Sequence, residues 1–392
     1  MIFPRKIYQK IQKYISAKQV IVITGIRRVG KTTILKQLLS EIKSENKAYF
    51  DLEKLSDRGI FDQKNYDNIL LDLARMGIDP KKKIYLAIDE IQFLPNITSI
   101  IKYLYDHHNI KFLVTGSSSY YLKNLFTQSL AGRKIVFDMF PLDFGEFLTF
   151  KEIYHQEKKS FAKNFSEFEY ERLKFYYEEF INFGGFPEVV LTKKKDLKKE
   201  LLNDIISSYV NIDIKSLSDF RKDKEIFSLI KMLASRVGTR LDYNKLARLT
   251  NLSRHTVEEY LEFFEKTYLI YRVPVHTHNF DREIVKAKKV YFCDNGLLNI
   301  LSENNSGSKF ENAFFNQIRH FGDIRYYALK NGNEIDFILD KKVSLELKES
   351  PTKNDLTKLS KLSNLAGIKK YHLIGRKNVP KFDDYIWGGD IR

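Results

Sequence analysis

Apolar residues follow three rhythms along this chain, and each rhythm marks a region. From the start to residue 150, short β-branched runs at 20–24, 48–51, 84–89, 110–115 and 134–137 alternate with stretches whose apolar positions recur every three or four residues. That alternation predicts a parallel sheet covered by helices. From about 161 to 280, Leu, Glu and Lys at helical spacing dominate, and a strand-like run appears only at 269–275. This region reads as helical. A Ser-, Asn- and Gly-rich segment at 302–308 predicts a boundary loop. Beyond it, Phe310, Phe314 and Ile318 share one helix face, and strand-like runs follow at 324–329, 334–339 and 343–348. In the last run Val343, Leu345 and Leu347 face one way, so Glu346 and Lys348 face the other. A helical stripe of Leu356, Leu359 and Leu362 and a strand at 370–374 complete the pattern. The expected fold is α/β, in regions 1–155, 156–300 and 301–392; a chain of 392 residues suits two or three cores.

The first apolar run leads straight into Gly25-Ile26-Arg27-Arg28-Val29-Gly30-Lys31-Thr32-Thr33, a G-x-x-x-x-G-K-T phosphate-binding loop. Gly25 and Gly30 allow a tight turn whose N–H groups surround a triphosphate, Lys31 reaches its β/γ oxygens, and the Thr32 hydroxyl can hold Mg²⁺. A helix over 31–42, with Ile34, Leu35, Leu38 and Leu39 on one stripe, adds its positive end to the site. The run at 84–89 ends in Asp89-Glu90. Asp89 would hold Mg²⁺ through water, and Glu90 would orient and activate an attacking water, which favours hydrolysis over transfer to a second substrate. The next run ends in Gly116-Ser117-Ser118-Ser119, where Ser117 either senses the γ-phosphate or caps a helix.

Charge adds a possible partner class. Lys and Arg number 66 against 50 Asp and Glu, a formal charge of +16. Phosphate neutralisation would make such a chain bind nucleic acid; the excess of Lys, Ile, Asn, Tyr and Phe equally fits an A/T-rich genome. Cys293, alone in the sequence, can form no internal disulfide or zinc site and fits packing in a reducing compartment. The sequence holds no run of eighteen apolar residues, and Met1-Ile-Phe-Pro-Arg-Lys6 lacks a signal-peptide core, so the expectation is a cytoplasmic protein without a membrane partner.

The phosphate loop, Ile88-Asp89-Glu90-Ile91-Gln92, Thr115-Gly-Ser-Ser118, Ala131-Gly-Arg133, Phe140-Pro-Leu-Asp-Phe-Gly-Glu-Phe147 and Gly184-Gly-Phe-Pro187 together resemble the AAA-superfamily ATPases of bacteria and archaea that carry a C-terminal domain of unknown function. The resemblance covers essentially the whole chain. It implies that Arg133 approaches a γ-phosphate, often that of a neighbouring subunit, and so implies a homo-oligomer; it places 184–187 at the start of a helical lid near the adenine. Residues 241–265 read as two helices joined by a turn, with Ser253 capping the second and 269–275 supplying a wing strand. The second helix carries Glu258, Glu259, Glu262 and Glu265 beside Arg254 and His255. Those acids favour a structural or regulatory winged helix over direct base readout.

The C-terminal order of helix, three strands, helix and strand, with Glu311, Asp336 and Glu346-x-Lys348, resembles the restriction-endonuclease-like superfamily. That resemblance implies Asp336 and Glu346 as Mg²⁺ ligands, Glu311 as an outer or second-metal ligand, and Lys348 as the group that assists water. An active nuclease and a nucleic-acid-binding relative that does not cut both fit. The expected protein is an ATP-hydrolysing ATPase that uses Mg²⁺ and acts on linear or branched DNA. The alternative is a nucleotide-operated switch whose C-terminal domain binds a partner without cleavage.

Overall fold

The computed structural model describes residues 3–116, 130–156, 161, 166–214, 223–277 and 286–392. Chain packing defines two compact units: Met1–Phe140 with Asp213–Ser218 and Lys266–Tyr268, and Pro141–Ile212 with Asp219–Glu265 and Leu269–Arg392.

In the first unit, β1 (Val20–Thr24), β2 (Lys47–Asp51), β3 (Ile84–Asp89), β4 (Ile110–Gly116) and β5 (Lys134–Asp138) form a parallel sheet in the order β2-β3-β4-β1-β5. Every residue of β1 and β4 is buried, as continuous apolar runs require when helices cover both faces. Helices α1 (Lys6–Gln12), α2 (Lys31–Glu41), α3 (Leu55–Phe61), α4 (Asp67–Arg75) and α5 (Ile97–His107) belong to this unit. The stripe on α2 buries Ile34, Leu35 and Leu38, each contributing about 1.5–3 kcal/mol. Register matters most for function: Ile23 pairs with Thr115, and Ile88 with Val114. The C-terminal ends of β1, β3 and β4 are therefore level, and the phosphate loop emerges beside Asp89.

The second unit contains α6 (Phe144–Phe150), α7 (Glu167–Phe183), α8 (Pro187–Leu191), α9 (Lys195–Ser208), α10 (Asp223–Ala234), α11 (Tyr243–Thr250) and most of α12 (Arg254–Lys266). The expected run at 269–275 forms β6 (Ile270–Val273), antiparallel to β7 (Lys289–Phe292), a strand the sequence pattern did not announce. Helix α13 (Asn295–Leu301) precedes α14 (Ser306–Ile318). The predicted loop at 302–308 is shorter than expected, because the Asn305 side chain accepts from Ser308 N at 2.8 Å and starts α14 inside it. A second sheet runs β12-β11-β10-β9-β8, from β8 (Ile324–Ala328), β9 (Glu334–Leu339), β10 (Val343–Lys348), β11 (Lys370–Gly375) and β12 (Ile386–Trp387), with α15 (Lys353–Leu365) packed on it. Strands β8 to β10 form an antiparallel meander and β10 to β12 are parallel.

Asp294 joins two parts of this unit. Its Oδ1 caps α13 by accepting from Gly296 N and Leu297 N at 2.7 and 3.2 Å, while Oδ2 accepts from Gly185 N at 2.6 Å. At Gly184, φ is +74° and a Cβ would lie 2.1 Å from Asp294 Oδ1, so the Gly-Gly-Phe-Pro turn needs its first glycine. Among the described residues, no helix is long and apolar enough to cross a membrane.

Candidate functional site

The loop from Gly25 to Thr32 connects β1 to α2 and is held from behind. Arg5 donates to Val29 O at 2.8 Å and to Phe140 O at 2.7 Å. Gly25 has φ +152°, and a Cβ there would lie 2.0 Å from Met139 O. Gly30 and Arg28 have φ values of 97° and 67°. Lys31 is 4% exposed, and its ammonium donates to Gly25 O and Ile26 O at 2.9 and 3.1 Å. Burial pushes its pKa down, and the charges of Glu90, Asp213 and Asp89 oppose that shift. Thr32 and Thr33 lie in the first turn of α2.

Asp89 is 2% exposed; it accepts from Tyr49 Oη at 2.9 Å and from Thr115 Oγ1. Glu90 follows in the left-handed region (φ 51°, ψ 50°). Its N–H donates to Thr115 Oγ1 at 3.2 Å, and its carboxylate accepts from Gln92 Nε2. One threonine thus registers both acids. The oxygen donors of Thr32 and Asp89 suit Mg²⁺, which favours one or two protein oxygens with phosphate and water completing the shell. The buried Thr24 Oγ1, without a partner in the described residues, leaves a further hydroxyl where β1 meets the loop.

Sequence reasoning missed Asp213. It lies in the π-helical turn Tyr209–Ile214 and meets Arg27 of the phosphate loop at 2.9 Å. Burial lowers the Arg27 pKa, but the charges of Asp213 and Glu90 outweigh it and the net shift is upward. No local motif surrounds Asp213, so its role depends on a contact 186 residues away.

Arg133 is not beside its own phosphate loop. Lys134 is level with Val20, so Arg133 stands at the opposite end of the sheet, about 16 Å along the strands at about 3.3 Å per residue. It pairs with Asp106 at 2.8 Å. Ser117 lies outside the described residues. In the two-helix region, Ser253 Oγ accepts from Thr256 N at 3.0 Å, Arg254 meets Glu258 at 2.9 Å and His255 lies 3.5 Å from Glu259. Both side chains are engaged by acids of their own helix.

The C-terminal acids do converge. Asp336 Oδ2 accepts from Leu347 N at 2.8 Å, and Lys348 donates to Glu346 Oε1 at 2.7 Å. Glu346 Oε2 is buried without a hydrogen-bond partner among the described residues. Burial, then the Asp336 charge, pushes Glu346 up to about 8 and Glu311 up to about 7. Burial also raises Asp336. Sequence reasoning missed the residue that stands between Glu311 and Asp336. Lys289 on β7 is 1% exposed, and its Nζ lies 3.0 Å from Glu334, 3.6 Å from Glu311 and 3.9 Å from Asp336. Burial lowers its pKa, but Glu311, Asp336 and Glu334 outweigh that and hold it charged. The ammonium therefore fills the space between these acids that a Mg²⁺, with oxygens at about 2.0–2.1 Å, would need. Among the described residues, no three His, Cys, Asp or Glu side chains are grouped to hold a metal ion.

Residues 17–148 match the family model described as an AAA domain, and residues 174–308 match a domain of unknown function (DUF8612). The uncharacterized protein MJ1544 of Methanocaldococcus jannaschii is 30% identical over 333 residues, which cover 81% of this chain and 71% of that protein. An uncharacterized protein of Haemophilus influenzae is 27% identical over 354 residues, covering 85% and 84%. Among solved structures, a Thermotoga maritima RuvB variant shares 16% identity over 69% of this chain and 90% of its own, with a TM-score of 0.33.

Proposed function

This chain belongs to the same family as MJ1544, and from its own AAA-domain match over residues 17–148 we propose that it binds and hydrolyses ATP to control what its C-terminal region engages. The observation that carries the proposal is the level placement of the Lys31 loop, Asp89 and Glu90 at one end of the first sheet. Lys31 would exchange its two carbonyl bonds for β/γ-phosphate oxygens. Glu90, anchored through Thr115 and Gln92, would accept a proton from the attacking water. Thr32 and Asp89 would hold a Mg²⁺ that neutralises charge on the phosphates. Arg133 would complete the site of a neighbouring copy in a homo-oligomer, since its own loop lies at the far end of the sheet. Phosphate release from ATP by wild type, abolished in Lys31→Ala, tests this; an unchanged rate would reject it.

The output is proposed to be DNA, supported by the charge of +16 and the endonuclease-like order of the C-terminal elements. The functional division would follow the ATPase core over 1–155, the lid and winged-helix region over 156–300, and the endonuclease-like domain over 301–392. The arrangement of acids around Lys289 favours gripping over cutting. Binding to linear, forked and four-way DNA that weakens steeply with salt would support the DNA reading. No binding to any of them would favour a switch that recruits a protein partner.

A further inference from the structure

The second unit places a positive charge at the centre of a cluster of acids. Glu311 reaches the cluster from α14, Glu334 and Asp336 from β9, and Lys289 from β7. Four features fix the ammonium there. Its strand is paired, with Lys289 level with Val273 of β6 and bridged on its other side to Arg240. Its Nζ lies 5.6 Å from the centre of the Tyr326 ring, a cation–π contact. The Tyr291 hydroxyl, on the same strand, donates to Glu311 Oε1 at 2.6 Å. Gly238 lies against that carboxylate so closely that a Cβ would come within 2.8 Å of Glu311 Oε2. Three partly buried acids drawn this close would repel one another without a cation, and a lysine on a paired strand reduces that cost without any ion from solution.

We propose that Lys289 is the resident cation of this carboxylate cluster, its ammonium taking the central position a divalent ion would occupy and keeping the cluster from binding one. The proposal concerns the second unit alone and does not depend on the nucleotide reading; a failed ATPase assay leaves it standing.

The test is Mn²⁺ binding to the full chain without nucleotide, measured by equilibrium dialysis and by the loss of the free-ion paramagnetic signal. Manganese is a suitable probe because carboxylate oxygens suit it. Lys289→Gln should gain one bound Mn²⁺ per chain relative to wild type, Lys289→Arg should gain none, and the Lys289→Gln, Asp336→Asn double variant should lose the gain. Mn²⁺ should also raise the melting temperature of Lys289→Gln and leave wild type unmoved. A folded Lys289→Gln that binds no more Mn²⁺ than wild type overturns the proposal. If Lys289→Gln does not fold, wild type and Asp336→Asn decide it. Equal Mn²⁺ binding by the two supports a cluster closed to metal, and wild-type binding that Asp336→Asn removes overturns it.

Discussion

Lys111 supports the strand that carries the phosphate loop, and its burial makes a prediction with a definite sign. It sits on β4, 1% exposed, and donates to Tyr14 O, Ala17 O and Gln19 O at 2.9, 2.6 and 2.6 Å. One ammonium thereby fixes the chain entering β1. Burial, with a smaller contribution from Lys83, lowers its pKa from 10.5 to about 8. Between those values the unfolded chain keeps a proton that the folded chain has released, so this group's contribution to stability rises with pH. The slope for one proton is about 1.4 kcal/mol per pH unit, and the whole window is worth at most about 3 kcal/mol. Lys111→Met keeps the length of the side chain and leaves three carbonyls without their donor, costing about 2 kcal/mol at pH 7 after water re-solvates part of the turn. Urea unfolding of both proteins at pH 7, 8, 9 and 10, followed on the first unit, should show the gap widening as pH rises. Parallel curves, or a gap that closes, would refute the argument that burial, rather than the three carbonyl acceptors, sets the pKa of this lysine.

Two further substitutions probe the turns on which the sites depend. Asp294→Ala leaves the N–H groups of Gly185, Gly296 and Leu297 without an acceptor and should destabilise the second unit by about 3 kcal/mol in thermal melts; Asp294→Asn, which keeps the helix cap, should cost less than Ala. Gly25→Ala forces a Cβ to within 2.0 Å of Met139 O, so fluorescent-nucleotide binding should be lost even where the variant remains folded by circular dichroism.

Much of the fold was legible because local pattern and tertiary demand agree. The β-branched runs at 20–24 and 84–89 became buried parallel strands because helices on both faces need continuous apolar surface. Alternation at 343–348 likewise put Glu346 and Lys348 on one side of β10, where they meet at 2.7 Å. Residues whose meaning lies in distant contacts were not legible. Lys289 and Tyr291 belong to a four-residue strand with no motif, and only the folding of α14 and β9 over it gives Lys289 its acids. Asp213 acquires its role through Arg27, and Asp294 through Gly185, across long separations. Strand order was hidden for the same reason: β4 sits between β3 and β1, which brings Thr115 against Asp89 and Glu90. The placement of Arg133 opposite its own phosphate loop follows from the parallel register of β5 with β1, which no local run encodes.

The central claim is that the end of β3 performs hydrolysis, and Glu90→Gln tests it most directly. The substitution keeps the size of a side chain already held by Gln92 and removes its ability to take a proton. ATP turnover should fall by about a hundredfold or more, while the dissociation constant for ATP, read by calorimetry on the same preparation, should stay within about threefold of wild type. Turnover equal to wild type, with ATP still bound, would contradict the account.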